Sequence, residues 1–149
     1  SKSIAFMATI VQEGNIVHPK ALLHAKCGPI IVGENNMIEE NVVIENSNED
    51  GSPLIIGEGN YFEVGSVVRA SRIGSNNTFG MESVIGMKVI ITDGCSIGTR
   101  CSVLKEGELP KCTSVFGPYN ERRVYICPPT SHSTLFEVLR KIFRTYHQL

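Results

Sequence analysis

Four histidines, five cysteines and a concentration of acids are the side chains of this 149-residue chain that could do chemistry. Zinc takes about three or four ligands, most often imidazole or thiolate, converging on one point. His18, His24, His132 and His147 are the imidazoles on offer. The thiols are Cys27, Cys95, Cys101, Cys112 and Cys127, odd in number and without a CxxC spacing. That arrangement disfavours both a zinc ribbon and a disulfide framework, and it suits a reducing, cytosolic compartment. The acids are bunched. Glu34, Glu39, Glu40, Glu45, Glu49, Asp50, Glu58 and Glu63 are eight of the fifteen, and no Lys or Arg falls among residues 34–63. Acids gathered in this way point to docking on a basic surface, where complementary charge sets orientation and encounter rate.

What positions these groups is a period of six. In IGMKVIITDGCSIGTRCSV, residues 85–103, an apolar residue recurs at Ile85, Ile91, Ile97 and Val103. A helix repeats near 3.6 and a half-buried strand at 2, so neither accounts for it. Counting from Ile73 gives Ile73, Phe79, Ile85, Ile91, Ile97, Val103, Leu109 and Val115, all apolar. At the chain's 42% apolar content, eight such hits arise by chance about once in a thousand. Upstream the same hexad runs through Ala5, Val11, Val17 and Leu23, then Val32, Ile38 and Ile44, then Ile56, Phe62 and Val68. Four places after a start the chain prefers a small residue or Asn, as at Asn77, Ser83, Cys95 and Cys101. Gly follows the start at Gly74, Gly80, Gly86 and Gly98, where it is expected to relieve backbone strain at a corner.

The expected fold is all-β: a parallel β-helix of hexapeptide repeats, about six triangular coils, three hexads to a coil. Phe62 and Phe79 fall in one column and should stack inside the prism. The hexads at Leu23, Ile44 and Val68 run to nine, twelve and five residues, all at one corner. The loops around Lys26–Ile31 and Asn46–Leu54 should therefore meet on one edge. Residues 1–117 form the repeat and 118–133 an irregular connector. Residues 134–149, TLFEVLRKIFRTYHQL, put Leu135, Val138, Leu139, Ile142, Phe143, Tyr146 and Leu149 on one helical face. This C-terminal amphipathic helix is expected to pack on the prism, leaving Arg140 and Arg144 in water. A formal charge of −1 makes no whole-chain case for nucleic acid. No apolar run approaches the roughly 18 residues of a spanning helix.

On this scaffold the reactive groups disperse. His18 and His24 take second positions of successive hexads and so lie on different faces; His132 and His147 lie outside the repeat. His24, at the irregular corner, is the one in-repeat candidate for a general base. Cys27, Cys95 and Cys101 take the small corner position, where Cys acts as a compact apolar residue. The stretch IGMKVIITDGCSIG resembles the γ-class carbonic anhydrase-like pattern IGH…HGC.IG, whose two histidines bind zinc. Met87 and Asp93 stand in those places. A thioether and one carboxylate are a poor zinc set. Neither metal nor cofactor is expected, and the chain reads as a non-enzyme. The alternatives are a trimeric hexapeptide acyltransferase or a carbonic anhydrase-like protein.

Longer stretches are more specific than the hexads. VHPKALLHAKCGPIIVGENNMIEENVVI (17–44), IIGEGNYFEVGSVVRASRIGSNNTF (55–79), NERRV (120–124) and LFEVLRKIFRTYHQL (135–149) resemble the dynactin subunit 6 family. Loop 46–54 is shorter than the Pro- and acid-rich insertion expected of animal members. The resemblance implies a left-handed coil and a non-catalytic subunit of the dynactin pointed-end complex, monomeric alone. It implies dynactin subunit 5, dynactin subunit 4 and the actin-related pointed-end protein as partners. The setting it implies is the cytoplasm and cytoskeleton, in dynein-driven transport and the engagement of adaptors and cargo. No catalytic residues follow from it.

Overall fold

The computed structural model describes residues 8–126. The short strands come three to a turn. The first turn is β1 (Thr9–Val11), β2 (Ile16–Val17) and β3 (Leu22–His24), and the second is β4 (Ile30–Val32), β5 (Met37–Ile38) and β6 (Val43–Glu45). The third comprises β7 (Leu54–Ile56), β8 (Tyr61–Phe62) and β9 (Val67–Val68). Then come β10 (Arg72–Ile73), β11 (Thr78–Phe79) and β12 (Val84–Ile85), followed by β13 (Val89–Ile91), β14 (Ser96–Ile97) and β15 (Ser102–Val103). The sixth turn holds β16 (Gly107–Leu109) and β17 (Thr113–Phe116) before β18 (Glu121–Val124).

Every third strand pairs in parallel. Face A is β1-β4-β7-β10-β13-β16, face B is β2-β5-β8-β11-β14-β17 with β18 added, and face C is β3-β6-β9-β12-β15. Hexad starts lie directly over one another: Val32 on Ile56, Ile38 on Phe62, Ile44 on Val68. From Val32 to Val115 all of them are at most 2% exposed. This is the parallel β-solenoid that the period of six implies, with its core inside the prism. In the first turn the same positions are open, Val11 at 43% and Val17 at 37%. Among the described residues no turn lies beyond β1–β3 on that side.

One corner column carries polar groups inward. Asn36, Asn60 and Asn77 are fully buried. Asn36 Oδ1 accepts from Asn60 N and Nδ2, at 2.8 and 2.9 Å, and Asn60 Oδ1 accepts from Asn77 N and Nδ2, at 2.9 and 3.0 Å. Cys95 N continues the column by donating to Asn77 Oδ1 at 2.7 Å. Each amide thereby supplies a partner to backbone that the corner would otherwise leave unpaired.

The glycines work differently from the expectation. Gly80 and its equivalents are not in the left-handed region; a Cβ on Gly80 would sit 2.6 Å from the Ile97 carbonyl oxygen of the next turn. These positions are small because successive turns approach closely. Left-handed backbone falls three places after the hexad start instead, at Asn35 (φ 59°), Gly59 (φ 69°) and Asn76 (φ 60°). Gly and Asn tolerate that region best.

The connector expected as irregular contains a strand. Gly117 and Asn120 both have positive φ, and the chain reverses so that β18 pairs antiparallel with β17. The hairpin covers the last strand edge of face B, and its own outer edge carries Glu121, Arg122 and Arg123, charges of the kind that discourage edge-to-edge pairing. The terminal helix expected over 134–149 lies outside the described residues, as do Ala5, Cys127, His132 and His147.

Candidate functional site

The irregular corner is built from the loops predicted to share it. Cys27 N donates to the Asn46 carbonyl at 3.0 Å, and Asn46 Nδ2 donates to the Pro29 carbonyl at 2.9 Å. Asn48 Nδ2 reaches the Ser71 carbonyl at 3.2 Å. An open groove of about 690 Å³ runs beside them, lined among others by Asn48, Asp50, Arg72 and Lys88. Of its two acids, Glu49 and Asp50, the latter is already committed, since Asp50 Oδ1 accepts from Ser52 N and Oγ at 3.0 and 2.7 Å. Asn46, Asn48 and Asp50 here hold the loop's own shape.

His24 is fastened rather than poised. Its Nδ1 lies 3.2 Å from Glu45 Oε1, while Glu45 Oε2 accepts from Ser47 Oγ at 2.6 Å and lies 3.3 Å from Arg69 Nε. His24, Glu45 and Arg69 thus form a row along face C on successive turns. The Ser47 hydrogen bond, set against burial and aided by the Lys26 charge, the His24 hydrogen bond and the Arg69 charge, holds the Glu45 carboxyl below its ordinary range. A nucleophilic serine must give its proton to an imidazole; Ser47 donates to the carboxylate. His18 Nδ1 accepts from Lys20 N at 3.0 Å, across a tight turn.

The two buried free thiols, Cys95 and Cys101, serve the backbone. Cys95 donates to the Pro110 carbonyl at 3.3 Å and Cys101 to the Gly117 carbonyl at 3.4 Å, and burial raises the Cys95 pKa. Cys112 is disulfide-bonded, contrary to the expectation from an odd cysteine count. Of the zinc-pattern positions, Met87 is exposed at the corner between faces C and A. Asp93 stands at the corner between A and B, accepting from Ser75 N at 2.8 Å and facing Lys111 Nζ at 3.7 Å. Among the described residues no three His, Cys, Asp or Glu side chains gather as metal ligands would.

The eight acids occupy two adjacent turns, but around the whole prism rather than on one face. Glu34 and Glu58 stand at the A–B corner, Glu49 and Asp50 in the C–A loop, and all four are exposed. Glu40 is at the B–C corner, 3.6 Å from Lys20 Nζ. Glu45 lies in the face C row. Glu39 and Glu63 sit on the outer side of face B, where Glu39 is 6% exposed and accepts from Tyr61 Oη at 3.2 Å. Burial, then the Glu39 charge, raises the Glu63 pKa, and burial with the same carboxylates raises that of Tyr61. A count of charges could not separate these environments.

A second pattern escaped the sequence reading because it is spaced by turns. Ile10, Ile31 and Ile55 point outward from face A in direct register. Glu13, Glu34 and Glu58 follow each of them by three residues and stack at the adjoining corner, Asn35 N bonding to the Glu13 carbonyl and Gly59 N to the Glu34 carbonyl. Ile10 and Ile55 are 53% and 44% exposed. An apolar row thus runs beside an acidic row over three turns, a combination suited to a partner surface with an apolar strip and a basic margin.

Known proteins are similar in sequence to this chain over most of its length. A protein of Nematostella vectensis named Dynactin subunit 6 is 39% identical over 94% of this chain and 81% of its own length. The Caenorhabditis elegans protein of that name is 41% identical over 94% of this chain and 77% of its own. The chain belongs to the dynactin subunit 6 family. The Danio rerio member is 38% identical, covering 90% of this chain and 74% of its own. No protein-family model matches. A hexapeptide transferase family protein from Anaplasma phagocytophilum superposes with a TM-score of 0.48, at 14% identity over 95% of each chain. Among the described residues no helix is long and apolar enough to cross a membrane.

Proposed function

We propose that this protein is a non-catalytic subunit of the dynactin pointed-end complex, a left-handed β-helix that pairs with a related β-helix subunit. In that setting it supports the engagement of adaptors and cargo by dynein and dynactin in the cytoplasm. The observation that carries this reading is the family membership, with near-complete coverage of the chain. The state of the reactive groups agrees with it: His24, Glu45 and Ser47 hold one another, and the described free cysteines Cys95 and Cys101 serve backbone carbonyls.

The acidic side chains divide by role. Glu34 and Glu58, with Glu13, border the exposed Ile10–Ile31–Ile55 row and are the part of the acidic set we assign to a neighbouring subunit's basic surface. Glu49 and Asp50 extend it at the next corner. The test is co-purification of the full chain with the pointed-end subunits, comparing wild type with Glu34→Lys/Glu58→Lys and with Ile31→Ser/Ile55→Ser. Loss of the complex in both, with circular dichroism unchanged, supports the assignment. Full recovery of the complex in both removes this surface, and a homotrimer with acyl-transfer or CO₂-hydration activity would overturn the subunit reading altogether.

A further inference from the structure

Along the prism several cations stand against an acid. Lys20 faces Glu40, Arg69 faces Glu45, Arg100 faces Glu82 and Lys111 faces Asp93. Arg72 and Lys88 differ. Both are exposed and line the open groove at the C–A corner, together with Glu49 and Asp50 of the corner loop. Among the described residues no ion pair joins the two cations to the two acids.

The fold spreads these charges along the prism axis. Ile73 pairs with Ile56, so Arg72 stands one rung on from Ile55. Ser71 N bonds to the Val89 carbonyl, which puts Lys88 at the corner of the rung after that. The loop with Glu49 and Asp50 leaves between the second and third turns. From acids to Lys88 the groove therefore runs over two to three rungs, roughly 10–15 Å at ~4.8 Å each. Between the two ends lie Pro53 and Ile55, the latter 44% exposed. The loop is tied in this position, since Asn48 Nδ2 donates to the Ser71 carbonyl and Asp50 Oδ1 holds Ser52. A wall fixed in this way presents its charges without ordering them on binding.

An occupant must bring an acid to one end, a base to the other and something apolar between. A lone anion answers only the cationic end. An extended peptide answers all three, because alternate side chains share one face at ~6.6 Å intervals, so that places i and i+4 are about 13 Å apart.

We propose that the C–A groove receives an extended segment of a partner protein, with an acid and a base four places apart around a central apolar residue. The acid lies between Arg72 and Lys88, the apolar residue rests on Pro53 and Ile55, and the base meets Glu49. Complementary charge at both ends sets which segments bind and how they lie. This groove adjoins the Ile10–Ile31–Ile55 row at Ile55, and it does not depend on the family assignment.

The experiment selects a random peptide library displayed on phage against the full chain. Arg72→Glu/Lys88→Glu and Glu34→Lys/Glu58→Lys are selected in parallel, with circular dichroism confirming the fold of each. Wild type should enrich peptides with opposite charges four places apart, in either order, around an apolar residue. The groove variant should lose these and enrich basic peptides, while the A–B corner variant enriches as wild type does. A selected peptide titrated into isotope-labelled chain should shift the amide resonances of Asn48, Arg72 and Lys88, and bind the groove variant about tenfold more weakly or worse. Peptides of a single charge sign from wild type would overturn the polarity. No enrichment, equal enrichment by the groove variant, or shifts confined to other corners would overturn the site. Loss of selection in the A–B corner variant alone would overturn its independence from that surface.

Discussion

The rings of Phe62 and Phe79 lie stacked inside the prism, centroids 4.6 Å apart and planes 4° from parallel. They fall on consecutive turns of face B, directly in register. Their column holds Ile38 above and Ile97 below. Removing one ring leaves a cavity that the rigid turns cannot collapse to fill. Phe79→Ala should cost about 3–5 kcal/mol, measured by denaturant unfolding.

The asparagine column should tolerate change no better. Asn60→Ala removes the acceptor of two Asn77 donors and a donor to Asn36 and to the Gly74 carbonyl. Each buried group left without a partner costs roughly 1–3 kcal/mol. The variant should lose stability comparably to Phe79→Ala even though far less volume is removed. A loss below that of a single orphaned group would show that the column is spacing rather than bonding.

The neighbouring corner column predicts the opposite sign. Ser66 and Ser83 are fully buried and their hydroxyls have no hydrogen-bond partner, while Ala21 holds the equivalent place in the first turn. Ser83→Ala deletes an unsatisfied polar group at almost constant volume. It should leave stability unchanged or raise it by about 1 kcal/mol. A clear loss in thermal unfolding would reveal a partner for that hydroxyl.

Glu45 should make stability depend on acid. Its folded pKa is below the ordinary value of 4.5, so its contribution is present above about that pH and is lost as pH falls through the lower folded value. Glu45→Gln should cost about 1.5–3 kcal/mol near neutrality, the range for hydrogen bonds to a charged group. The difference from wild type should close at pH values under the folded pKa. A difference that stays constant with pH would mean shape, not charge, is what Glu45 supplies.

Partner binding through the A–B corner should weaken with salt. Glu34 and Glu58 are exposed, and the Debye length is only about 8 Å at physiological ionic strength. Raising salt should lower the association rate of wild type more than that of Glu34→Gln/Glu58→Gln, measured by surface-based kinetics. Equal salt slopes would remove charge from the account of this surface.

The period of six by itself determined the solenoid, its three faces and the inward hexad starts from Val32 to Val115, though not core residues such as Leu54 and Ala70 that are not starts. It could do so because each inward residue is repeated at a fixed interval, and stacking copies that interval directly into columns. The two long breaks and the short one, at Leu23, Ile44 and Val68, were legible for the same reason: three hexads to a turn put them at one corner. The tertiary structure alone decided what depends on the neighbouring turn. Gly80 is required by a carbonyl of the turn that follows it, not by its own φ, and that neighbour is 17 residues away in sequence. Glu34, Glu39 and Glu45 are alike in sequence, yet one is open to solvent, one is buried on face B, and one is held between His24 and Arg69. The row Ile10–Ile31–Ile55 with its acidic margin was invisible because loops of unequal length separate its members by 21 and 24 residues. β18 was missed because an antiparallel return rests on one turn and on the open edge beside it, and neither leaves a period to read.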